Sequence, residues 1–189
     1  MDWTGLMLEQ LTFHWEKQAR PRLEGLTDPE YLWEPVPDAW SIRPRSEART
    51  AMAAGPGDLV IDFEFPAPVP APVTTIAWRL GHVIVGVLGA RNASHFGGPP
   101  MDYSSVEWPA EATTALGMLD DGYARWIKGV RGLDDADLAR PVGEAEGPFA
   151  AHPYSVLVLH IHREVIHHLA EVALLRDLYL RMGPPQQPA

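Results

Sequence analysis

Apolar residues recur at three- and four-residue intervals in four stretches of the chain, and segments rich in Pro, Gly and Asp separate those stretches. The first, "DWTGLMLEQLTFHWEKQARPRLEGL", has Asp2 as its N-cap and Pro21 as the point where a helix kinks or ends. The second, "TTIAWRLGHVIVGVLGARNASHF", opens at Thr74 or Thr75, stops at Gly97-Gly98-Pro99 and is apolar nearly all round, which predicts burial on most sides. The third opens near Pro109, a residue tolerated in the first helical turn, and runs to Gly132 with Leu116, Leu119, Tyr123, Trp126 and Val130 in one stripe. The fourth begins near Pro153 or Ser155 and meets no breaker before Gly183-Pro184.

The pattern predicts helices over approximately 2–25, 74–94, 109–131 and 153–182, within one domain spanning 1–189. No internal repeat is visible. The fold class expected is all-α, a four-helix bundle with long connectors instead of tight hairpins. The longest connector holds "DPEYLWEPVPDAWSIRPR" and "EARTAMAAGPGDLVIDFEFPAPVPAPV", in which "DLVIDFEF" reads as a short strand or as a segment packed on the bundle. A connector this long is either functional or poorly ordered.

Composition narrows the chemistry. A formal charge of −10 without a basic patch argues against nucleic-acid binding, which relies on clustered Lys and Arg. The absence of cysteine means that any metal site must use His, Asp or Glu. No basic n-region precedes an apolar core at the N-terminus, and no apolar run approaches the ~18 residues of a membrane span. A cytoplasmic protein acting on a small-molecule substrate, with no nucleic-acid or membrane partner, is therefore expected. A homodimer through an exposed helical face stays open, with no particular residue arguing for it.

Four of the eight histidines fall in "HIHREVIHH", His160 to His168. At about 100° per residue, Glu164 and His168 lie one above the other, with His160, His167 and Glu171 within about 60° of Glu164 and His162 near the opposite face. A carboxylate in this otherwise apolar setting needs a cation, a donor or water. His82, alone among apolar residues in "WRLGHVIVGVLG", is the best third ligand from another helix. A lone buried histidine ordinarily bonds a backbone carbonyl, and it is the Glu164/His168 pair that favours ligation. The expected metal ligands are His82, Glu164 and His168, a catalytic type of set with open positions. It suits zinc foremost, and nickel or iron as well.

His160, His167, Glu171 and Arg79 are candidates for supporting the ligands or for contacting substrate. Arg79, Arg163 and Arg176 are available to an anionic substrate or cofactor carboxylate, with surface ion pairing as the competing use. Glu171 either orients a ligand histidine or forms a salt bridge with Arg176 or another cation. His14, His95, His152 and His162 are expected to be structural or solvent-facing, and Trp78 and Trp126 to pack in the core. Glu164-Val-Ile-His167 fits one E-x-x-H, but no second copy exists to build a di-iron centre. Arg163 stands where a zincin would have its first His.

Three segments carry a family resemblance: "DAWSIRPR" at Asp38 to Arg45, "TIAWRLGHVI" with His82, and "HREVIHHLAEVALLRDLY" with Glu164 and His168. They resemble the DinB/YfiT superfamily. Within it the similarity is to the branch of mycothiol-dependent maleylpyruvate isomerase and other mycothiol or bacillithiol S-transferases. The resemblance implies a four-helix bundle with a divalent metal held by a His on the second helix and two residues four apart on the fourth. Many members have His at both of those positions; Glu164 stands at the first here, as in the isomerase branch. In the family the "WS" signature is followed almost at once by the second helix. Here roughly thirty inserted residues intervene before "TTIAW", so whatever covers the pocket is peculiar to this chain.

The resemblance implies a low-molecular-weight thiol such as mycothiol, whose metal-bound thiolate attacks an electrophile, and hence a thiol S-transferase or isomerase. The residues alone leave open a metal-dependent hydrolase and a non-catalytic bundle that binds a small molecule or metal. They single out no catalytic residue beyond the metal ligands.

Overall fold

The computed structural model describes residues 1–184; residues 185–189, the end of the expected 1–189 domain, lie outside it. Asp2 accepts the Gly5 amide at 2.7 Å and starts the first helix, which is α-helical over Trp3–His14. It widens to π-helical turns over Trp15–Ala19 and closes at Arg20–Arg22. Pro21 explains both the widening and the early end. It has no N–H for the carbonyl four residues back and its ring presses on that carbonyl, so the Arg20 amide reaches the Trp15 carbonyl instead. The helix spans 3–22, shorter than the 2–25 expected.

The second helix spans 76–96. Thr75 caps it by accepting the Trp78 amide at 3.2 Å, and Gly97, with φ of 65°, ends it in the left-handed region. Its middle, His82–Gly89, is again π-helical, with the Ala90 amide bonded to the Val85 carbonyl. Such bulges in helices are frequent at functional sites, and this one begins at His82. The third helix, Ala112–Arg131, starts later than Pro109 because the Ala112 amide is capped from elsewhere, by Asp28 Oδ1 at 2.8 Å. The fourth runs over Tyr154–Met182 and meets the expected stop at Gly183. The second helix packs against the third and fourth, as does the first, and fully buried Leu80, Leu88, Leu119, Trp126, Ile161 and Leu169 fill the space among them. No described helix is long and apolar enough to cross a membrane.

The all-α expectation needs one correction. Ile42–Pro44 and Leu59–Ile61 form a two-stranded antiparallel sheet with Ile42 opposite Ile61, so the fold is mostly helical with a small sheet in the long connector. The strand residues of "DLVIDFEF" are the β-branched Val60 and Ile61 with Leu59, and both β-branched side chains are buried. A single carboxylate organises the rest of this connector. Asp62, fully buried, accepts the Ser41 amide at 3.0 Å, Arg43 Nε at 2.7 Å and the Arg49 amide at 2.9 Å. Its own carbonyl accepts Trp78 Nε1 at 2.8 Å. Through that bond, and through the Ser41–Thr75 hydroxyl pair at 3.0 Å, the "WSIR" segment is fastened to the start of the second helix.

Arg176 is likewise structural, which corrects its candidacy as an anion binder. Its guanidinium pairs with the buried Glu30 at 2.7 Å and donates to the carbonyls of Arg22 and Glu24, satisfying acceptors at the end of the first helix. Nor is Arg176 the partner of Glu171, which bonds elsewhere.

Candidate metal centre

His82 and the Glu164/His168 pair come from different helices, yet one ligand atom of each lies within 4.8 Å of the others. The i, i+4 spacing places His168 Nε2 at 3.5 Å from Glu164 Oε2, and the His82 ring meets the His168 ring edge-on with centroids 4.8 Å apart. All three residues sit at the seam of the second and fourth helices. His168 is buried, whereas Glu164 and His82 keep partial exposure.

The second nitrogen of each imidazole is engaged. His168 Nδ1 lies 2.7 Å from Glu171 Oε2, so its N–H donates to that carboxylate and Nε2 is left as a lone-pair donor facing Glu164. Arg79 Nε holds the same carboxylate oxygen at 3.2 Å. His82 Nδ1 lies 2.7 Å from the Tyr103 hydroxyl. Burial raises the Tyr103 phenol to about 12, so it stays protonated, and its oxygen can accept Nδ1–H in the tautomer that frees His82 Nε2 for a metal. Burial first, then the neighbouring His168 and the Arg79 guanidinium, lower His82 to about 4, so its ring is neutral at pH 7. Neutral imidazoles and one carboxylate are the donor set a divalent cation takes, and the distances let one ion reach all three.

A second group, His167, His168 and Glu171, also converges. It is more exposed, and the Arg79 guanidinium already supplies the cation on Glu171, so this group reads as support for His168. His167 is its exposed member, with Nε2 at 3.5 Å from Glu171 Oε1. His160 Nδ1 lies 3.5 Å from Glu164 Oε1 and 2.8 Å from Arg163. Of the expected supporting residues, Glu171 and Arg79 stand behind His168, His160 stands beside Glu164, and His167 is peripheral.

A family model described as the DinB superfamily matches residues 10–172. The chain belongs to the DinB superfamily. The matched span includes every DinB site residue described above. Neither the curated proteins nor the solved structures yielded a match.

Sequence reasoning missed two parts of this DinB site. Tyr103 lies in a connector with no periodic signal. The only hint is Gly86, where an added Cβ would come within 2.6 Å of the Tyr103 hydroxyl and 3.2 Å of His82 Nδ1. Trp78 is not simply core: it stacks on His82 at 5.5 Å between centroids and 16° between planes, steered by its bond to the Asp62 carbonyl.

His162 faces away from the site, as expected, and is buried edge-on to Trp126 with Nε2 unpartnered. Burial lowers it to about 4, against about 6.5 in an unfolded chain. Between those values the unfolded state holds the extra proton, so stability is intact above pH 6.5 and falls as pH drops toward 4. Replacing His162 by Leu is expected to flatten that fall by up to ~1.4 kcal/mol per pH unit, measured by urea unfolding across the window. An unchanged slope would contradict a neutral buried ring.

Proposed function

We propose that the protein is a divalent-metal-dependent enzyme with its cation on His82, Glu164 and His168, and that it is a thiol S-transferase or isomerase of the mycothiol-using kind. The observation that carries the metal assignment is the convergence of three donors from two helices within 4.8 Å, both imidazoles having their other nitrogen occupied. The four long helices are read as the superfamily's four-helix bundle, in one cytoplasmic domain acting on a small molecule. Zinc is the ion expected, with nickel and iron compatible with the same donors.

A cation held by these three residues would supply Lewis acidity, making a bound thiol or water far more acidic. The chain's own residues prepare the place. Glu171 and Arg79 fix the tautomer and tilt of His168, Tyr103 fixes the tilt of His82, and Trp78 closes one side of the His82 ring against solvent. His160 and Arg163, each 3.5 Å from Glu164 Oε1, stand where they can donate to an anionic group beside the cation.

Elemental analysis of protein purified without a histidine tag, followed by conjugation of monochlorobimane with mycothiol, tests this reading. About one equivalent of divalent metal, and conjugation that needs both metal and thiol, is expected. No metal after incubation with zinc, nickel or iron would overturn the assignment in favour of a non-catalytic binding bundle. Metal with thiol-independent ester cleavage would move it to a hydrolase.

A further inference from the structure

Next to the candidate centre, a cavity of about 470 Å³ opens between the second and fourth helices and the 141–152 segment. Its lining is apolar at Val142, Phe149 and Leu157 and cationic at Arg91 and Arg163, with Glu146 the one carboxylate among the lining residues. That carboxylate is already neutralised, holding His95 Nε2 at 3.0 Å and Arg91 at 3.1 Å. Through those bonds it fixes the segment carrying Phe149 onto the second helix. Arg91 spends one further donor on the Gly86 carbonyl at 2.6 Å, while its Nε is buried with no acceptor. That Nε is closed to solvent, but the side chain as a whole keeps 30 % exposure, which leaves the rest of it open to an anionic ligand. Arg163 is largely exposed and has room to turn toward such a group.

Two observations tie the cavity to the centre. His160 and Arg163 line it, and both lie 3.5 Å from Glu164 Oε1. Along the fourth helix, Leu157 is seven residues from Glu164, roughly 10 Å at 1.5 Å per residue, so the cavity starts at the His160 and Arg163 side chains beside that carboxylate and runs away from it along the helix. Its size and its mixture of apolar walls with a few convergent polar groups suit a small organic ligand. Two guanidinium groups against the single carboxylate of Glu146 leave the lining with an excess of positive charge, which selects the sign of that ligand.

We propose that this cavity binds the non-reacting part of the substrate, and that the substrate is an amphiphilic anion: an apolar body against Leu157, Val142 and Phe149 with an acidic group on Arg91 and Arg163. The proposal rests on the functional reading above for what happens at the metal, but not for the binding itself. The test is calorimetric titration of metal-free protein with octanoate and with octylammonium, for wild type, Arg163→Gln and Val156→Trp. Val156 lines the cavity and is 44 % exposed, so a tryptophan there adds bulk at the rim without entering the core. Octanoate is expected to bind wild type at least tenfold more tightly than octylammonium, and each substitution is expected to weaken it at least tenfold. Equal affinity for the two probes, or octanoate binding untouched by Val156→Trp, would overturn the proposal. Because no metal is present, octanoate binding by a protein that never takes up metal would sink the metal reading alone. A metal-loaded protein whose apo form ignores octanoate would sink this inference alone.

Discussion

Replacing either His82 or His168 by alanine is expected to remove bound metal from the purified protein, taking it from about one equivalent to near none. The reason is the small number of donors. Two remaining side chains would leave most of the coordination shell to water. Glu171→Gln should act differently. An amide can still accept the His168 N–H, but it neither supports imidazole basicity nor holds Arg79 as an ion pair, so affinity should drop 10- to 100-fold with the site intact. His167→Ala should change little, since that ring is exposed and lies 3.5 Å from its acidic neighbour Glu171. Metal titration followed by thermal shift separates these cases. Added zinc should raise the melting temperature of wild type and, at higher concentration, of Glu171→Gln, but not of the two ligand variants. Metal retained in full by either alanine variant would refute the three-residue site.

The convergence of the three proposed ligands was legible because two regularities pointed to it, with the family resemblance adding most of the weight. Helical periodicity aligned Glu164 with His168, and the apolar run around His82 marked that histidine as facing inward. The fourth helix was legible end to end, having no internal breaker and a Gly-Pro stop. The residues behind the ligands were only half legible. Glu171 shares the stripe and could be named, but its partner is Arg79 across the helix seam, not Arg176 on its own helix, and only the packing of the second helix against the fourth decides that. Tyr103 and Arg91 had no sequence signal at all. One comes from a connector and the other lies nine residues beyond His82, and their roles depend on which chain segments fold over the seam. Helix ends were displaced for equally local reasons, a proline ring near one terminus and a distant aspartate capping another.

The long connector illustrates the same limit, and it carries the largest stability effect expected outside the metal ligands. Its Pro and Gly density reads as loop, yet Asp62 makes it an ordered piece by accepting two amides and a guanidinium where no water reaches. Asp62→Ala would leave the Arg43 guanidinium, whose side chain is 8 % exposed, without its main counter-charge, and would orphan the Ser41 and Arg49 amides. Breaking a buried pair in this way costs about 3–5 kcal/mol, far more than losing an exposed ion pair. Arg43 keeps Glu34 at 3.1 Å and the Ala39 carbonyl at 2.8 Å, which places the expected loss toward the lower end of that range. Urea unfolding measures it, and a loss under about 1 kcal/mol would mean that Arg43 escapes to solvent when Asp62 is gone. The site offers an independent check. The Asp62 carbonyl holds Trp78, and Trp78 stacks on His82, so a loosened connector should also weaken metal binding under conditions where the variant remains folded. If stability falls and metal affinity does not, the connector braces the fold without bracing the centre, and the positioning of His82 rests on Tyr103 and the π-helical turn alone.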